Sequence, residues 1–209
     1  STPMSKTKNI VFDLGNVLYE IDYPHWRERW QQLADKYEVG SMQENRDTFR
    51  ELAHPYERGE VSSQQFLEAL EKALFQGAAH NELKDTWNAL LVGMVADRHA
   101  LIERLAQHYN IYLLSNNNEL HYEGCYPPFQ PTEVLFEKAY FSHLIKRRKP
   151  EPDIYAFLFE DANIRPEESI FVDDLEENAR AAEAHGMAAI HLKRLQDLHD
   201  ELKQRGLLN

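Results

Sequence analysis

The chain has 209 residues, of which 35 are acidic and 23 are Lys or Arg, and its formal net charge is −12. This acidic balance argues against nucleic-acid binding, because contacts to phosphate backbones need clustered lysine and arginine. Apolar residues make up 43% of the chain, enough for a folded core, yet no apolar stretch approaches the roughly 20 residues that span a membrane. The first residues lack the apolar run of a signal peptide and cysteine occurs once, so we expect a protein of the reducing cytoplasm.

Short apolar segments that alternate with helical patterns predict the fold. The predicted strands are residues 9–12, 111–114, 170–172 and 187–190, and the predicted helices are residues 98–109, 153–162 and 175–185. This alternation predicts a doubly wound parallel α/β sheet, in which ligands bind beyond the carboxyl ends of the strands. Because Asp13, Ser115 and Asp173 each follow a predicted strand, we expect them to meet at one rim of the sheet.

The segment between the first two strands has a different pattern. Apolar residues recur there at helical spacing, with Ser62 as a plausible N-cap, and no convincing strand is visible. We therefore predict an all-helical insert at residues 19–92, with its last helix around Trp87 and Leu91. Further along, prolines at 127, 128 and 131 predict an irregular loop over residues 124–138.

Four segments of the chain resemble the four motifs of the haloacid dehalogenase-like hydrolases. In chain order they are Phe12-Asp13-Leu14-Gly15-Asn16-Val17-Leu18, Leu113-Leu114-Ser115-Asn116, Lys149-Pro150-Glu151-Pro152 and Phe171-Val172-Asp173-Asp174 followed by Asn178. One such match is weak evidence, but four in the family's order are strong. The first motif, the helical insert and residues 57–62 resemble most closely the subgroup that contains bacterial α-D-glucose-1-phosphate phosphatase.

The resemblance implies a fold, a cofactor and a reaction. The fold would be a Rossmann-like core of residues 1–18 and 93–209, with residues 19–92 as a helical cap. The reaction would be Mg²⁺-dependent hydrolysis of a small phosphorylated metabolite, with a sugar phosphate favoured, through an aspartyl-phosphate on Asp13. The metal ligands would be Asp13, Asp174, the Gly15 carbonyl and, directly or through water, Asp173. The phosphate would be contacted by Ser115, the Asn116 N–H and Lys149. Asn178 would support Lys149 or the acidic pair.

The chain departs from the family pattern at one position. The second Asp, which would act as general acid and base two residues after the nucleophile, is replaced by Gly15. Water or a polar residue near the start of the insert could supply the proton, the candidates being Glu20, Asp22 and His25. Trp26 is a further candidate contact to substrate. We interpret Arg147 and Arg148 as solvated surface residues.

Two alternatives remain open at this stage. The protein could bind phosphorylated ligands with little or no catalysis, because loss of a general acid typically lowers a rate by about 10²–10⁴-fold. Less consistent is a 2-haloacid dehalogenase, since those enzymes need no metal and the pair Asp173-Asp174 would then be a costly negative cluster. The sequence does not predict an oligomeric state.

Overall fold

The computed structural model describes residues 6–209, so the first five residues of the predicted core segment 1–18 lie outside it. Within this range the strands are β1 (Asn9–Phe12), β2 (Tyr19–Ile21), β3 (Leu91–Met94), β4 (Asn110–Ser115), β5 (Lys138–Phe141), β6 (Ser169–Asp173) and β7 (Ala188–His191). The helices are α1 (Tyr23–Lys36), α2 (Arg46–Glu57), α3 (Ser63–Ala73), α4 (His80–Asn88), α5 (Arg98–Ala106), α6 (Glu119–Glu133), α7 (Ser142–Ile145), α8 (Pro152–Ala162), α9 (Glu176–Ala184) and α10 (Leu198–Gln204).

Five of these strands form one parallel sheet in the order β5-β4-β1-β6-β7. Side chains alternate between the two faces of a strand, and both faces of this sheet are covered by helices. Ile10 and Phe12 of β1 belong to a buried cluster that includes α5, α6 and α10, whereas Val11 belongs to one that includes α8 and α9. The predicted doubly wound α/β core is therefore confirmed, with β5 as an additional strand.

Helices α1 to α4 form a helical block, residues 23–88, with its own apolar interior. Buried aromatic residues dominate this interior, among them Trp30, Tyr56, Phe66 and Trp87. The predicted cap on α3 is present: the Ser62 hydroxyl accepts the Gln65 N–H at 3.1 Å, and the Gln65 side chain accepts the Ser62 N–H at 2.8 Å. This reciprocal pair satisfies two backbone donors at the start of the helix.

The expectation that residues 19–92 contain no strand was wrong. Strands β2 and β3 pair antiparallel at the two ends of the helical block, with Tyr19 opposite Met94 and Glu20 opposite Gly93. Leu91, which we had placed in a final helix, belongs to β3, and α4 ends at Asn88. Neither strand is a fully buried apolar run of the kind that marks β1, since β2 contains Glu20 and β3 contains Gly93.

The predicted loop over residues 124–138 was also wrong. Helix α6 continues to Glu133 although Pro127, Pro128 and Pro131 lie within it, and β5 begins at Lys138. Proline removes helical hydrogen bonds, at a cost of about 3 kcal/mol in a helix interior. Burial of Cys125 and Phe129 against the sheet offsets this cost, which shows tertiary packing overriding local preference.

Apart from the β2–β3 ribbon, the helical block contacts the core at α6 and at α7. Gly59 lies so close to helix α7 that an added Cβ would be 2.1 Å from the His143 carbonyl oxygen, and its φ is +69°. Glycine allows both this close approach and the positive φ because it has no side chain.

Among the described residues, no helix has the length and apolar character needed to cross a bilayer.

Candidate active site

The side chains that the sequence predicted for the site come from the ends of three adjacent strands. Asp13 directly follows β1, Ser115 ends β4 and Asp173 ends β6. Since β4, β1 and β6 are neighbours in a parallel sheet, their carboxyl ends bring these three residues to one rim. Asp174 and Lys149 join them from the loops that follow β6 and precede α8. All five residues belong to the site described below.

Lys149 is the buried cation at the centre of this rim, with 1% of its surface exposed. Its Nζ donates to Asp13 Oδ1 at 3.0 Å, to Asp173 Oδ2 at 2.8 Å and to the Leu114 carbonyl at 2.6 Å. Burial alone lowers the pKa of Lys149, but the charges of Asp13 and Asp173 outweigh it and the pKa is raised. Lys149 is therefore a permanent cation, with all three of its donors used.

Asn116 fixes the position of Lys149 through a reciprocal pair of hydrogen bonds. Its side-chain Nδ2 donates to the Lys149 carbonyl at 2.9 Å, and its Oδ1 accepts the Lys149 N–H at 2.8 Å. The neighbouring Ser115 hydroxyl is buried and has a long contact of 3.3 Å to the Asn116 carbonyl. A hydroxyl held this loosely can turn to donate to an oxygen that enters the site.

Asp13, Asp173 and Asp174 form a compact acidic cluster, with one carboxylate oxygen of each within 4.8 Å of the others. Burial, followed by the charges of Asp13 and Asp173, raises the pKa of Asp174 to about 10. Burial, followed by the charge of Asp173, raises the pKa of Asp13 to about 6 despite Lys149. One lysine thus offsets three carboxylates incompletely, and a divalent cation suits this oxygen donor set.

The three carboxylates differ in how far their oxygens are already used. Asp173 is fully buried and accepts from Lys149, from the Leu175 N–H at 2.9 Å and from Asn178 Nδ2 at 3.2 Å. Asp174 is partly exposed and faces the cavity described below. Asn178, predicted to support Lys149 or the acidic pair, contacts Asp173 and lies in the first turns of α9. Asp174 is therefore the more accessible of the two neighbouring acids.

The loop after Asp13 presents a backbone oxygen to the same space. Across residues 6–209, the Gly15 carbonyl accepts no hydrogen bond, and Gly15 lies at the cavity wall. The loop is closed against β2, because Asn16 Oδ1 accepts the Ile21 N–H at 3.0 Å and Asn16 has a φ of 56°. A carbonyl without a hydrogen-bond donor at this wall would suit a hard cation, because such cations prefer oxygen ligands.

A cavity of about 860 Å³ opens above these groups and extends into the helical block. Its floor is the rim of the sheet, with Asp13, Ser115, Lys149 and Asp174. Its upper walls are mainly aromatic and apolar and include Trp26, Trp30, Phe49, Trp87, Leu90 and Leu91. Concave spaces with apolar walls and a few convergent polar groups are typical small-molecule sites.

The candidate residues near the start of the helical block separate into two groups. Trp26 is at the cavity wall, where its Nε1 donates to the Trp87 carbonyl at 2.9 Å. Glu20, Asp22 and His25 are not among the residues that border the cavity. Asp22 instead caps helix α1, because its carboxylate accepts the His25 N–H at 2.9 Å. The structure thus brings Trp26 to the site but none of the three proposed proton donors.

Several residues at the cavity were missed by the sequence reasoning. Tyr23 borders the cavity from the first residue of α1, and Arg148 and Glu57 meet at its edge with a 3.0 Å ion pair. The interpretation of Arg148 as a solvated residue was wrong, since its side chain is 12% exposed, whereas that of Arg147 is 36% exposed. An aromatic residue directly after the N-cap Asp22 was the available signal for Tyr23.

His121 is a second missed residue at the same junction. Its ring stacks on Trp87 at 4.7 Å, and its Nε2 lies 2.8 Å from the Trp87 carbonyl. Burial lowers the pKa of His121 to about 4, so that the ring is neutral near pH 7. Because a carbonyl only accepts, Nε2 donates, and Nδ1 accepts from Asn118 at 3.1 Å. His121 therefore joins helix α6 to helix α4 through uncharged contacts.

Comparison with known proteins agrees with this arrangement. Residues 7–186 match the model of the haloacid dehalogenase-like hydrolase family. The chain belongs to this family. A D-ribitol-5-phosphate phosphatase from Bacteroides thetaiotaomicron is 27% identical over 202 residues, covering 93% of this chain and 96% of that protein. This resemblance to a phosphatase extends over nearly the whole of both chains.

Solved structures of the HAD family enzyme bt-2542 from the same organism are similar throughout. Its magnesium complex is 30% identical, with a TM-score of 0.76 and coverage of 90% of this chain and 93% of that one. Its complex with magnesium and inorganic phosphate is 28% identical, with a TM-score of 0.70 and coverage of 88% and 93%. These relatives share the family fold, and the finer resemblance of this chain to α-D-glucose-1-phosphate phosphatase stays a prediction.

Proposed function

We propose that this haloacid dehalogenase-like hydrolase is a Mg²⁺-dependent phosphatase of small phosphate monoesters and that Asp13 is its nucleophile. The observation that carries the proposal is the position of Asp13. One of its carboxylate oxygens lies 3.0 Å from the buried Lys149 Nζ, at the floor of a cavity large enough for a metabolite. A carboxylate that is fixed by a buried cation and faces an open cavity has the placement of an attacking group.

The proposed first step forms an aspartyl-phosphate. An Asp13 oxygen attacks phosphorus, the bond from phosphorus to the ester oxygen breaks, and the alcohol departs. Lys149 offsets the negative charge of Asp13 and of the transferring group as a fixed cation. The Ser115 hydroxyl and the Asn116 N–H hold the phosphate oxygens. Water then hydrolyses the acyl phosphate and restores the Asp13 carboxylate.

We assign Mg²⁺ to Asp13, Asp174 and the Gly15 carbonyl, with Asp173 acting directly or through water. The donor set supports this assignment because it consists of oxygens alone, carries excess negative charge and includes an unpartnered backbone carbonyl. Mg²⁺ bound there would supply the positive charge that a carboxylate needs to approach a phosphate dianion. The magnesium and phosphate complexes of the relative bt-2542 support the same choice.

The substrate class that we favour is a sugar or polyol phosphate. The relative that acts on D-ribitol 5-phosphate supports this class, and so does the size of the cavity. We further propose that residues 19–92 act as a cap over a core of residues 1–18 and 93–209, with the β2–β3 ribbon as the connection. Closing of such a cap would exclude water and strengthen the electrostatic contacts at phosphorus.

Phosphate release from p-nitrophenyl phosphate and a panel of sugar and polyol phosphates tests the proposal, with Mg²⁺ and with EDTA. The wild-type protein is expected to release phosphate only with Mg²⁺, and Asp13→Asn is expected to lose this activity while retaining its circular dichroism spectrum. The proposal would be overturned if the folded wild-type protein bound Mg²⁺ and inorganic phosphate but released no more phosphate from the esters than Asp13→Asn does. The protein would then be a phospho-ligand-binding protein.

A further inference from the structure

Tyr23 lines the cavity but has none of the roles assigned so far to the metal ligands or the phosphate contacts. It is the first residue of α1, immediately after the N-cap Asp22, and so it stands where the β2–β3 ribbon enters the helical block. Its ring packs edge-on against Trp26, with 6.3 Å between the ring centroids, and it shares the cavity wall with Asp13 and Asp174. Tyr23 therefore stands at the cavity wall on the side of the helical block.

The hydroxyl of Tyr23 is an unused donor in this position. It makes no hydrogen bond to any residue in the described range 6–209, whereas the hydroxyls of Tyr37, Tyr56 and Tyr126 all have partners. Burial, followed by the charges of Asp174, Asp13 and Glu57, raises the pKa of Tyr23 well above its usual value. The hydroxyl therefore keeps its proton, and a donor without a partner at a cavity wall is satisfied by a ligand atom or by water.

The geometry of attack indicates which ligand atom faces this hydroxyl. In phosphoryl transfer the attacking and leaving oxygens are roughly in line through phosphorus. With Asp13 attacking from the floor of the cavity, the ester oxygen points away from the sheet, towards the wall formed by the helical block. Tyr23 carries a donor on that wall that has no partner among residues 6–209, and it shares the cavity lining with Asp13 and Asp174.

We propose that the Tyr23 hydroxyl donates a hydrogen bond to the ester oxygen of the substrate and stabilises the negative charge that develops there as the bond to phosphorus breaks. The inference rests on the proposed phosphatase function. The alkoxide that leaves takes its proton from water, the hydroxide so formed is consumed when the aspartyl-phosphate is hydrolysed, and the products are the alcohol, inorganic phosphate and the original Asp13 carboxylate. Tyr23 itself keeps its proton throughout.

Two other polar groups near this wall are already engaged. Glu57 is paired with Arg148 at 3.0 Å, and His121 uses both ring nitrogens in contacts to Trp87 and Asn118. Tyr23 thus supplies a hydrogen-bond donor in place of the acid that is missing at Gly15, without giving up a proton.

The test is the dependence of the rate on the leaving group in Tyr23→Phe, which keeps the ring and removes the hydroxyl. Removal of one donor to a developing oxyanion typically lowers kcat by about 10²–10³-fold. We expect a loss of about 10²-fold for sugar, polyol and simple alkyl phosphates, whose alkoxides are strong bases. For p-nitrophenyl phosphate we expect less than about 5-fold, because that leaving group needs little stabilisation. The pH profile should keep its shape.

Tyr37→Phe is the matched control. It makes the same chemical change at the end of the same helix, where the hydroxyl contacts Glu82 and lies away from the cavity, and it should leave the whole substrate series unchanged. If Tyr23→Phe lowered kcat equally for all substrates, or not at all, the role at the ester oxygen would be overturned. The phosphatase function would still stand in that case, provided that the wild-type protein is active and Asp13→Asn is inactive. Absence of Mg²⁺-dependent release in the wild-type protein would instead mean that the proposed function had failed.

Discussion

An added Cβ at Gly15 would lie 2.8 Å from the Cδ1 atom of Ile21, so a hydrophobic side chain of β2 covers the position where the family usually has its second Asp. The atom in the way is the far end of a flexible side chain, and the next carbon of Ile21 is 3.6 Å away. The sequence motif identified this position as unusual, but only the fold shows that Ile21 has filled the space.

Restoring the acid should therefore need two changes rather than one. Gly15→Asp alone is expected to lower kcat or stability, because Ile21 must move. The pair Gly15→Asp and Ile21→Val removes Cδ1 and is expected to raise kcat by at least about 10-fold for alkyl phosphates, within the range of about 10²–10⁴-fold that general acids supply. Steady-state kinetics of both variants and of Ile21→Val test this. A double variant no faster than Ile21→Val would show that the space at Gly15 cannot serve an acid.

Residues on the motif loops could be predicted from the sequence because each lies at the end of a strand. Asp13, Ser115 and Asp173 needed only the alternation of strands and helices to be placed at one rim. Tyr23 could not be predicted in this way, since its role depends on how the first turn of α1 faces the sheet. Arg148 could not be predicted either. It lies in a run of four basic residues that suggested a solvated surface, but it is paired with Glu57.

At the level of elements, buried apolar strands flanked by helices were predictable and partly exposed strands were not. β5 begins with the exposed Lys138 and β2 is interrupted by Glu20, so neither is an unbroken apolar run. The predicted loop over residues 124–138, which is largely helix α6, was wrong for another reason. Its three prolines favour a loop locally, and the burial of Phe129 and Cys125 on one face decides otherwise.

The contact of α6 with α4 predicts how stability depends on pH. Burial lowers the pKa of His121 from 6.5 to about 4 in the folded protein, so the unfolded chain binds more protons between these values. The free energy of unfolding should therefore be fully retained above about pH 6.5 and fall as the pH drops towards 4, by at most about 1.4 kcal/mol per pH unit for one such group. His54 and His143, whose pKa values are also lowered to about 4, act in the same direction.

Urea unfolding of wild type and His121→Gln between pH 4 and 7 measures this contribution. Glutamine keeps a donor and an acceptor but does not titrate in this range. The variant is expected to be less stable at pH 7, because it loses the stacking on Trp87, and to show a shallower fall in stability on acidification. Parallel curves for the two proteins would show that His121 does not carry the effect.

For the whole molecule, the attachment of the helical block to the core matters because both parts line the cavity. Among residues 6–209, two ion pairs cross this boundary, Arg148 with Glu57 at 3.0 Å and Arg58 with Glu151 at 2.9 Å. Lys146 adds a hydrogen bond of 2.7 Å to the Gly59 carbonyl. These contacts are made by residues 57–59, beside helix α7, and the β2–β3 ribbon is a second connection between the two parts.

Glu57→Gln should loosen this boundary. Arg148 is 12% exposed and would be left with the more distant Glu151 at 3.6 Å, so we expect a loss of about 1–3 kcal/mol in the free energy of unfolding and a higher KM. Glu60→Gln is the control, because Glu60 is exposed and its pair with Arg58 should contribute less than about 1 kcal/mol. Chemical denaturation and steady-state kinetics provide the two readouts, and similar effects in both variants would contradict the importance of the Arg148–Glu57 pair.

The identity of the nucleophile is the claim on which the whole account depends, and trapping the covalent intermediate tests it most directly. Enzyme turning over a phosphate ester with Mg²⁺ is reduced with borohydride, which converts an aspartyl-phosphate to homoserine, and the peptides are sequenced by mass spectrometry. We expect homoserine at position 13 in the wild-type protein, none without substrate, and no turnover in Asp13→Asn. Reduction at another carboxylate, or phosphate release by Asp13→Asn at the wild-type rate, would contradict it.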